Sequence, residues 1–509
     1  QEQLDVYAFN TIVVGSGAAG LNAAARLSDL GVDVALLTEG MQMGTSRNTG
    51  SDKQTYYRLA ESGGDSVQEM AESLYAGGAA DLDIAFCEAA GSLRAFYHLV
   101  ELGVGFPQDS RGVFTGYKTD HDPKTRATSP GPSTSRFMTE ALQREVEKRD
   151  IPIFDGWLAV EIVSDDKGQV GGLLAVNRHN GRTICFACRN LVWASGGPAG
   201  IYSRSVFPGS QTGATGTALA AGVPGKNLTE WQYGLASVKF RWNLSGSYQQ
   251  VIPRYFSTNS DGTDEREFLD EWFSTPGKMY DAIFLKGYQW PFDPRKALNE
   301  GSSLIDILVY NETEIRGRRV FLDFKQNPGC KELDFELLSS ESYEYLERLG
   351  SLFGTPIERL AHINTPAIDL YLEHGIDLTK EALEIQVAAQ HCNGGLVGDI
   401  WWQSPLLGFF PVGEANGSHG VYRPGGSALN SGQVGSFRAA QYISARRTGL
   451  PPTTKDFYKF GQNSLRNHLS LVKKLTSRGS GHSAGELRRQ LGELMSKHGA
   501  FIRHPQGIR

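Results

Sequence analysis

Gly15-Ser16-Gly17-Ala18-Ala19-Gly20 constrains this chain more than any other stretch, because of what flanks it. An apolar run, residues 9–14, leads straight into it, and an alanine-rich stretch with helical spacing, 21–30, leaves it. A second apolar run, 32–37, follows and ends near Glu39 and Gly40. Strand, glycine turn, helix, strand and acid, in that order, make the pattern of a dinucleotide-binding βαβ unit. The first glycine permits the tight turn, the second lets the backbone approach a pyrophosphate, and the third lets helix and strand pack closely. Backbone N–H groups at the helix start, around Ala18 and Ala19, point at phosphates. These direct contacts matter more than the helix dipole, which adds only about 0.3–1 kcal/mol. Glu39 can accept hydrogen bonds from ribose hydroxyls.

At 509 residues, 40% hydrophobic and 21% charged, the chain can bury a large core and forms two or more domains. A formal charge of -6 argues against general nucleic-acid binding. No apolar run is long enough for a membrane span. The five cysteines make no disulfide framework, and with no signal-peptide pattern the expected setting is cytoplasmic. Cys185 and Cys188 form a CxxC without a second pair, so they read as two small buried residues of one strand rather than a redox or metal pair. The stretch 119–126 (TDHDPKTR) is rich in turn formers and reads as a solvated loop; no metal is expected there or elsewhere.

Along the chain, the polar loop 44–57 directly follows the second strand, where Thr45 and Ser46 could reach a cofactor. Residues 66–103 have helical spacing, and 160–174 read as a hairpin around Asp165-Asp166-Lys167-Gly168. The apolar strand 185–194 ends in Ser195-Gly196-Gly197, which suggests close backbone approach to a ligand. From about 240 to 382 aromatics and charges increase, and glycine-rich segments then return at 391–395, 413–414 and 417–435. The tail from Lys455 is helical with a polar interruption at 477–483. These shifts predict an α/β fold: a Rossmann-like cofactor domain in two segments (1–239 and 383–450), an inserted α+β capping domain (240–382) and a short C-terminal helical tail (451–509).

These spaced segments resemble the fumarate reductase / succinate dehydrogenase flavoprotein family, which includes L-aspartate oxidase. Ala194-Ser195-Gly196-Gly197-Pro198 is similar to the family's "ATGG" strand end and Thr212-Gly213-Ala214-Thr215-Gly216 to its "TGDG" turn. Glu230-Trp231-Gln232-Tyr233 falls where the family has "EFxQ[YF]H", and Val320-Phe321-Leu322-Asp323 resembles its "V[FY]LD" strand. His391-Cys392-Asn393-Gly394-Gly395 resembles "H[YF]xxGG", and Gly413-Glu414 the "GE" that meets the flavin ribityl chain. The run from His419 through Arg423 to Leu429 resembles "HGxNRLGGNSL". The resemblance implies FAD, with N–H groups of Ser427, Ala428 and Leu429 at a helix start facing the flavin edge that becomes negative on reduction. It also implies hydride transfer to or from a small-molecule substrate whose carboxylate meets His391 and Arg423, with Gln232, Tyr233 and His419 nearby. A planar guanidinium suits that task because it pairs bidentately and stays charged.

Three departures from the family matter. The loop 44–57 has no histidine, so FAD is expected to be held noncovalently. Gly234 stands where the family has a histidine followed by Pro-Thr, so one carboxylate ligand is missing. The "RGEGG" segment with its arginine proton donor is absent; Arg254 is the nearest candidate and Arg241 a weaker one. Burying an unpaired carboxylate costs several kcal/mol, so a site with fewer clamps should not favour a dicarboxylate such as fumarate. Tyr233, Trp242, Tyr248 and Tyr255 either offer flat faces to a larger substrate or form cap core. The expected function is an FAD-dependent dehydrogenase or reductase. The alternatives are an oxidase returning electrons to oxygen and a flavoprotein subunit with an iron–sulfur electron-transfer partner.

Overall fold

The computed structural model describes residues 5–509 except Ser62, Thr212 and Ser480, so the first residue of the expected 212–216 turn lies outside the described residues. Strand β1 (Val6–Val14), helix α1 (Ala18–Asp29) and β2 (Val34–Thr38) form a parallel βαβ unit. All five residues of β2 and the last five of β1 are buried. Such continuous burial, without alternation, marks parallel strands covered on both faces. β3 (Ile153–Asp155) lies parallel to β2. The hairpin of β4 (Trp157–Ser164) and β5 (Val170–Asn177) continues antiparallel into β6 (Thr183–Trp193), which runs parallel beside β1. The order is β3-β2-β1-β6-β5-β4, with the short strand Phe409–Pro411 also on β6.

Helix α2 (Leu82–Glu101) starts on Asp81, whose carboxylate accepts from the Asp83 and Ile84 N–H groups. It packs against α3 (Ser427–Arg446), which in turn packs against α1. In the tail, α4 (Thr454–Thr476) is opened by a Thr453–Asp456 capping box and lays Phe457 against Val163, Leu174 and Cys185. A second tail helix, α5 (Ala484–His498), starts on the Ser483 cap. Cys185 and Cys188, three apart on one strand, fall in different core clusters on opposite faces, as period-two alternation requires.

The second sheet is wholly antiparallel: β7 (Trp231–Ser237), β8 (Arg254–Thr258), β9 (Arg319–Asp323) and β10 (Leu383–Cys392), in the order β7-β10-β9-β8. Its outer pair in the chain, β7 and β10, lies outside the expected 240–382 insertion. β7 and β10 are themselves apolar strands next to glycines, so composition alone does not separate them from the strands of the first sheet. Tyr233, Trp242, Tyr248 and Tyr255 are at most 7% exposed and belong to the core beneath this sheet, which decides the open alternative in favour of core. Two further expectations need correction. The loop 44–57 contains a one-turn helix, Thr45–Asn48, whose Asn48 amide donates to the carbonyls of Gln42 and Gly44, and its Tyr56–Tyr57 end pairs with Ala127–Thr128. Within 119–126, Asp122 and Arg126 are buried, not solvated: Arg126 bonds Asp65 at 2.6 Å, Asp122 at 3.1 Å and the Tyr57 hydroxyl at 3.0 Å.

Buried Asp52 ties the first unit to the second by accepting from the Ser247 N–H (2.6 Å) and hydroxyl (2.7 Å). Within the second core, Lys286 and Asp306 form a fully buried pair at 2.5 Å. Breaking a buried pair strands one charge, a loss of about 3–5 kcal/mol, whereas replacing both partners by apolar groups is close to neutral. Lys286→Met should therefore lower unfolding stability by that amount in urea titrations, and the double variant K286M/D306L should recover most of it.

Candidate functional site

The strand ends of the first sheet open onto one large cavity of about 1510 Å³. Single ligand pockets span about 300–1,000 Å³, so there is room for more than one small molecule. Three chain segments meet at its floor. Gly15, with φ of +108°, brings its backbone so close to the end of β6 that a Cβ there would stand 2.3 Å from the Ala194 carbonyl oxygen. Gly20 is pressed just as tightly onto the Gly15 carbonyl, where a Cβ would lie 1.9 Å away. The one-turn helix then supplies Ser46, whose Oγ accepts from the Ala18 N–H at 3.2 Å.

Gly15, Gly17, Ala18, Ala19, Glu39, Gly40, Thr45 and Ser46 line this cavity, as do Ser195, Gly196, Gly413, Glu414, Ala428 and Leu429. Three expected cofactor residues do not. Gly20 is consumed by helix–strand packing. Gly197 lies against Glu414, where a Cβ would meet the carboxyl at 2.9 Å. Ser427 is fully buried and donates to the Pro424 carbonyl at 2.8 Å. The expected row of N–H groups at the α3 start is also reduced. The Ser427 N–H is committed to Pro424 O and the Leu429 N–H to Gly426 O, both at 3.2 Å.

The same cavity has a basic corner of His391, His419 and Arg423, all lining it. β10 carries His391, whose Nδ1 lies 3.0 Å from Asn393 Oδ1; its ring centroid is 5.6 Å from that of His419. Arg423 is 6% exposed and poorly partnered: Nη1 reaches Pro424 O at 3.3 Å and Ser427 Oγ at 3.5 Å, and Nε has no acceptor. Burial pulls the Arg423 guanidinium down to about 10, although Glu414 and Glu88 oppose the shift. Burial and the Arg423 charge together hold His391 and His419 well below the ordinary histidine value, so both rings are neutral near pH 7. A buried cation whose guanidinium lacks an acid within bonding distance is a built anion acceptor.

Glu414 and Glu88 stand behind this corner. Burial pushes each up to about 7. Glu414 accepts from the Cys392 N–H at 2.9 Å, and Glu88 accepts from the Ser431 hydroxyl at 2.6 Å. Nothing in the sequence around Glu88 distinguished it from any acid on a helix face.

The other expected site residues lie elsewhere. Arg254 does not line the cavity: it is held by Glu267 at 2.6 Å and Glu265 at 2.5 Å, with Asp323 at 4.0 Å. The segment before it does reach the cavity, through Gln250, whose Oε1 accepts from the Tyr345 hydroxyl at 3.1 Å. Arg241 is exposed, and its guanidinium reaches the Phe207 carbonyl at 3.4 Å. Gln232 pairs with His391 across the sheet but is walled off, and Tyr233 packs in the second core with its hydroxyl 3.4 Å from that of Tyr202. In their place the second unit contributes Phe284, Tyr288, Trp290 and Tyr345. Lys53, also lining the cavity, is raised: burial opposes its charge, but Tyr345 and Asp52 outweigh it. Among the described residues no group of three or more His, Cys, Asp or Glu side chains could hold a metal, and no helix is long and apolar enough to cross a membrane.

The sequence matches the family described as "FAD binding domain" over residues 10–429. The chain belongs to the FAD-binding oxidoreductases of the fumarate reductase, succinate dehydrogenase and aspartate oxidase family. It is 25% identical to a fumarate reductase (CoM/CoB) subunit of Methanothermobacter marburgensis, covering 99% of this chain and 83% of that protein. With the succinate dehydrogenase flavoprotein subunit of Bacillus subtilis it shares 23% identity, over 97% of this chain and 79% of the relative. A solved E. coli quinol fumarate reductase chain has the same fold, with a TM-score of 0.74 at 20% identity over 99% of this chain and 81% of that one. The cavity suits this cofactor: the backbone at Gly15 admits no Cβ, Gly17 leaves only tight room beside Ser46, and Ser195 presents a buried hydroxyl with no partner.

Two outcomes follow. A Cβ on Gly17 would stand 3.1 Å from Ser46 Oγ; Gly17→Val adds two further methyl groups in the cradle, so the variant should purify without flavin absorbance. Glu88 has a folded-state value near 7 against 4.5 when free, so its contribution to stability is intact below pH 4.5 and is lost as pH rises to about 7. Glu88→Gln should raise the thermal midpoint relative to wild type above pH 7 and leave it unchanged below 4.5.

Proposed function

We propose that this chain adds or removes two hydrogens across a carbon–carbon bond beside an activating acid or carbonyl group, on a substrate less charged than a dicarboxylate, with FAD held noncovalently. The observation that carries this reading is the convergence, in one cavity, of the glycine cradle and the poorly partnered Arg423. When bound, FAD supplies the two-electron donor or acceptor. Gly15, Gly17, Ala18 and Ala19 would offer backbone to its pyrophosphate, the Glu39 carboxylate would meet its ribose, Gly413 would lie at its ribityl chain and Ala428 at its flavin edge. Arg423 pairs with the substrate's acid group, and the neutral His391 and His419 add hydrogen bonds without competing for its charge. Beside Arg423 a second acid group would find neither a histidine at position 234 nor a freed arginine at position 254, and Lys53, which also lines the cavity, is already engaged by Tyr345 and Asp52.

The same reading divides the chain into a cofactor unit of two segments and a second unit, 231–392, that closes over the substrate and excludes water. It places the protein in the cytoplasm, a compartment that keeps thiols reduced, as its five unpaired cysteines suit. A second reading, the flavoprotein subunit of an electron-transfer complex, is favoured by the word "subunit" in the names of two relatives.

The test is anaerobic: the reduced holoenzyme is mixed with fumarate, with larger enones, and with oxygen, and flavin reoxidation is followed. Fast reoxidation by an enone and none by fumarate supports the reading; fast reoxidation by fumarate sinks the substrate part of it. Arg423→Ala should retain FAD and lower kcat/KM for the accepted substrate by about 10²–10³, the equivalent of a lost charged hydrogen-bond pair. Near-normal turnover would remove Arg423 from the site.

A further inference from the structure

Gly234 has no side chain, yet the space beside it is filled. A Cβ on Gly234 would lie 2.7 Å from Trp290 Nε1, 2.9 Å from Trp290 Cδ1 and 3.0 Å from Gln390 Nε2. Both neighbours line the cavity, so a side chain on this β7 position would enter the cavity at the place the indole now occupies. Trp290 is fixed there: its Nε1–H donates to Gln390 Oε1 at 2.9 Å, and the Gln390 amide donates to the Leu235 carbonyl at 2.9 Å. The single donor of the indole is thus already committed and cannot serve an anion.

Trp290 is one of four aromatic residues of the second unit that line the cavity. Phe284, Tyr288 and Trp290 come from one short stretch, and the Phe284 ring stands edge-on to Tyr345 at 5.2 Å between centroids. All four rings line the cavity that holds Arg423, His391 and His419. The basic corner is built for an anion and the aromatic rings for a flat apolar body. Aromatic faces favour such a body in offset or edge contacts, worth about 0.5–1.5 kcal/mol beyond area burial.

We propose that the substrate is an unsaturated monocarboxylate with a flat, apolar body, of the arylacrylate type. Its carboxylate pairs with Arg423 and its body lies against Trp290 and Tyr345. Trp290 sets this specificity by occupying the place from which a side chain on position 234 would meet a second carboxylate. The inference rests on the reading of Arg423 as the acid clamp.

Binding to the oxidised holoenzyme tests it without turnover, by ligand-induced change of the flavin spectrum and by calorimetry. The probes are trans-cinnamate, its neutral amide cinnamamide, and fumarate. Cinnamate should bind at least tenfold tighter than either of the others. Trp290→Ala should weaken cinnamate at least tenfold while leaving fumarate within threefold, and Trp290→Phe should restore most of the loss. Equal or tighter binding of fumarate, or a Trp290→Ala effect of the same size on both acids, overturns the proposal. So does failure of all three probes to bind. If cinnamamide equals cinnamate, the clamp reading fails with it. If enones still reoxidise the reduced flavin while cinnamate does not bind, the oxidoreductase reading stands and only the substrate class falls.

Discussion

The approach of the Gly15 backbone to the Ala194 carbonyl is the constraint on which the rest depends. It joins the ends of β1 and β6, far apart in the chain, at van der Waals limits that admit no Cβ. Gly20 then seats α1 against the same turn. With those contacts made, the start of α1, the one-turn helix at Thr45 and the Gly413 turn all open onto one floor. A single methyl group on Gly15 would separate these segments, and the cradle would not close.

At the basic corner, electrostatics takes over from packing. Burying Arg423 without an acid in bonding distance is costly, and the structure tolerates it by setting two acids nearby, both pushed toward neutrality by the same burial. The two histidines beside it are kept neutral by burial and by its charge. The result is a corner with one strong cation, two neutral imidazoles and no firmly ionised acid at pH 7. That corner holds a buried cation with no acid within bonding distance, the feature on which the proposed acid clamp rests. The rings of Phe284, Tyr288, Trp290 and Tyr345 line the same cavity, so an apolar surface and the cation share one enclosure.

Much of this was legible in the sequence where function depends on backbone. The glycine turn, the strand end at Ser195 and the Gly413-Glu414 turn recur as short contiguous motifs, because backbone approach to a cofactor requires particular residues at fixed spacing. His391 and Arg423 could be placed because they lie within such motifs. Arg254 had no motif around it to fix its position, and the segment reaches the cavity through Gln250 instead. Gln232 and Tyr233 failed for a related reason. The register shift opposite them leaves Gln390 as an extra residue on β10, so that Gln390 and His391 line the cavity while Gln232 and Tyr233 do not, a shift no alternation pattern reveals.

The sequence by itself determined the cofactor, the βαβ start and the basic corner, since each rests on local chain geometry and on residues a few positions apart. The tertiary structure alone decided what shares the cavity with that corner. Trp290 lies 56 residues from Gly234 and meets it only because β7 and the segment after Phe284 pack together. Glu88 reaches Arg423's surroundings from a helix 335 positions earlier. Contacts of this kind depend on how whole elements stack, and stacking is set by side-chain volumes summed over the core, which no single stretch of sequence carries.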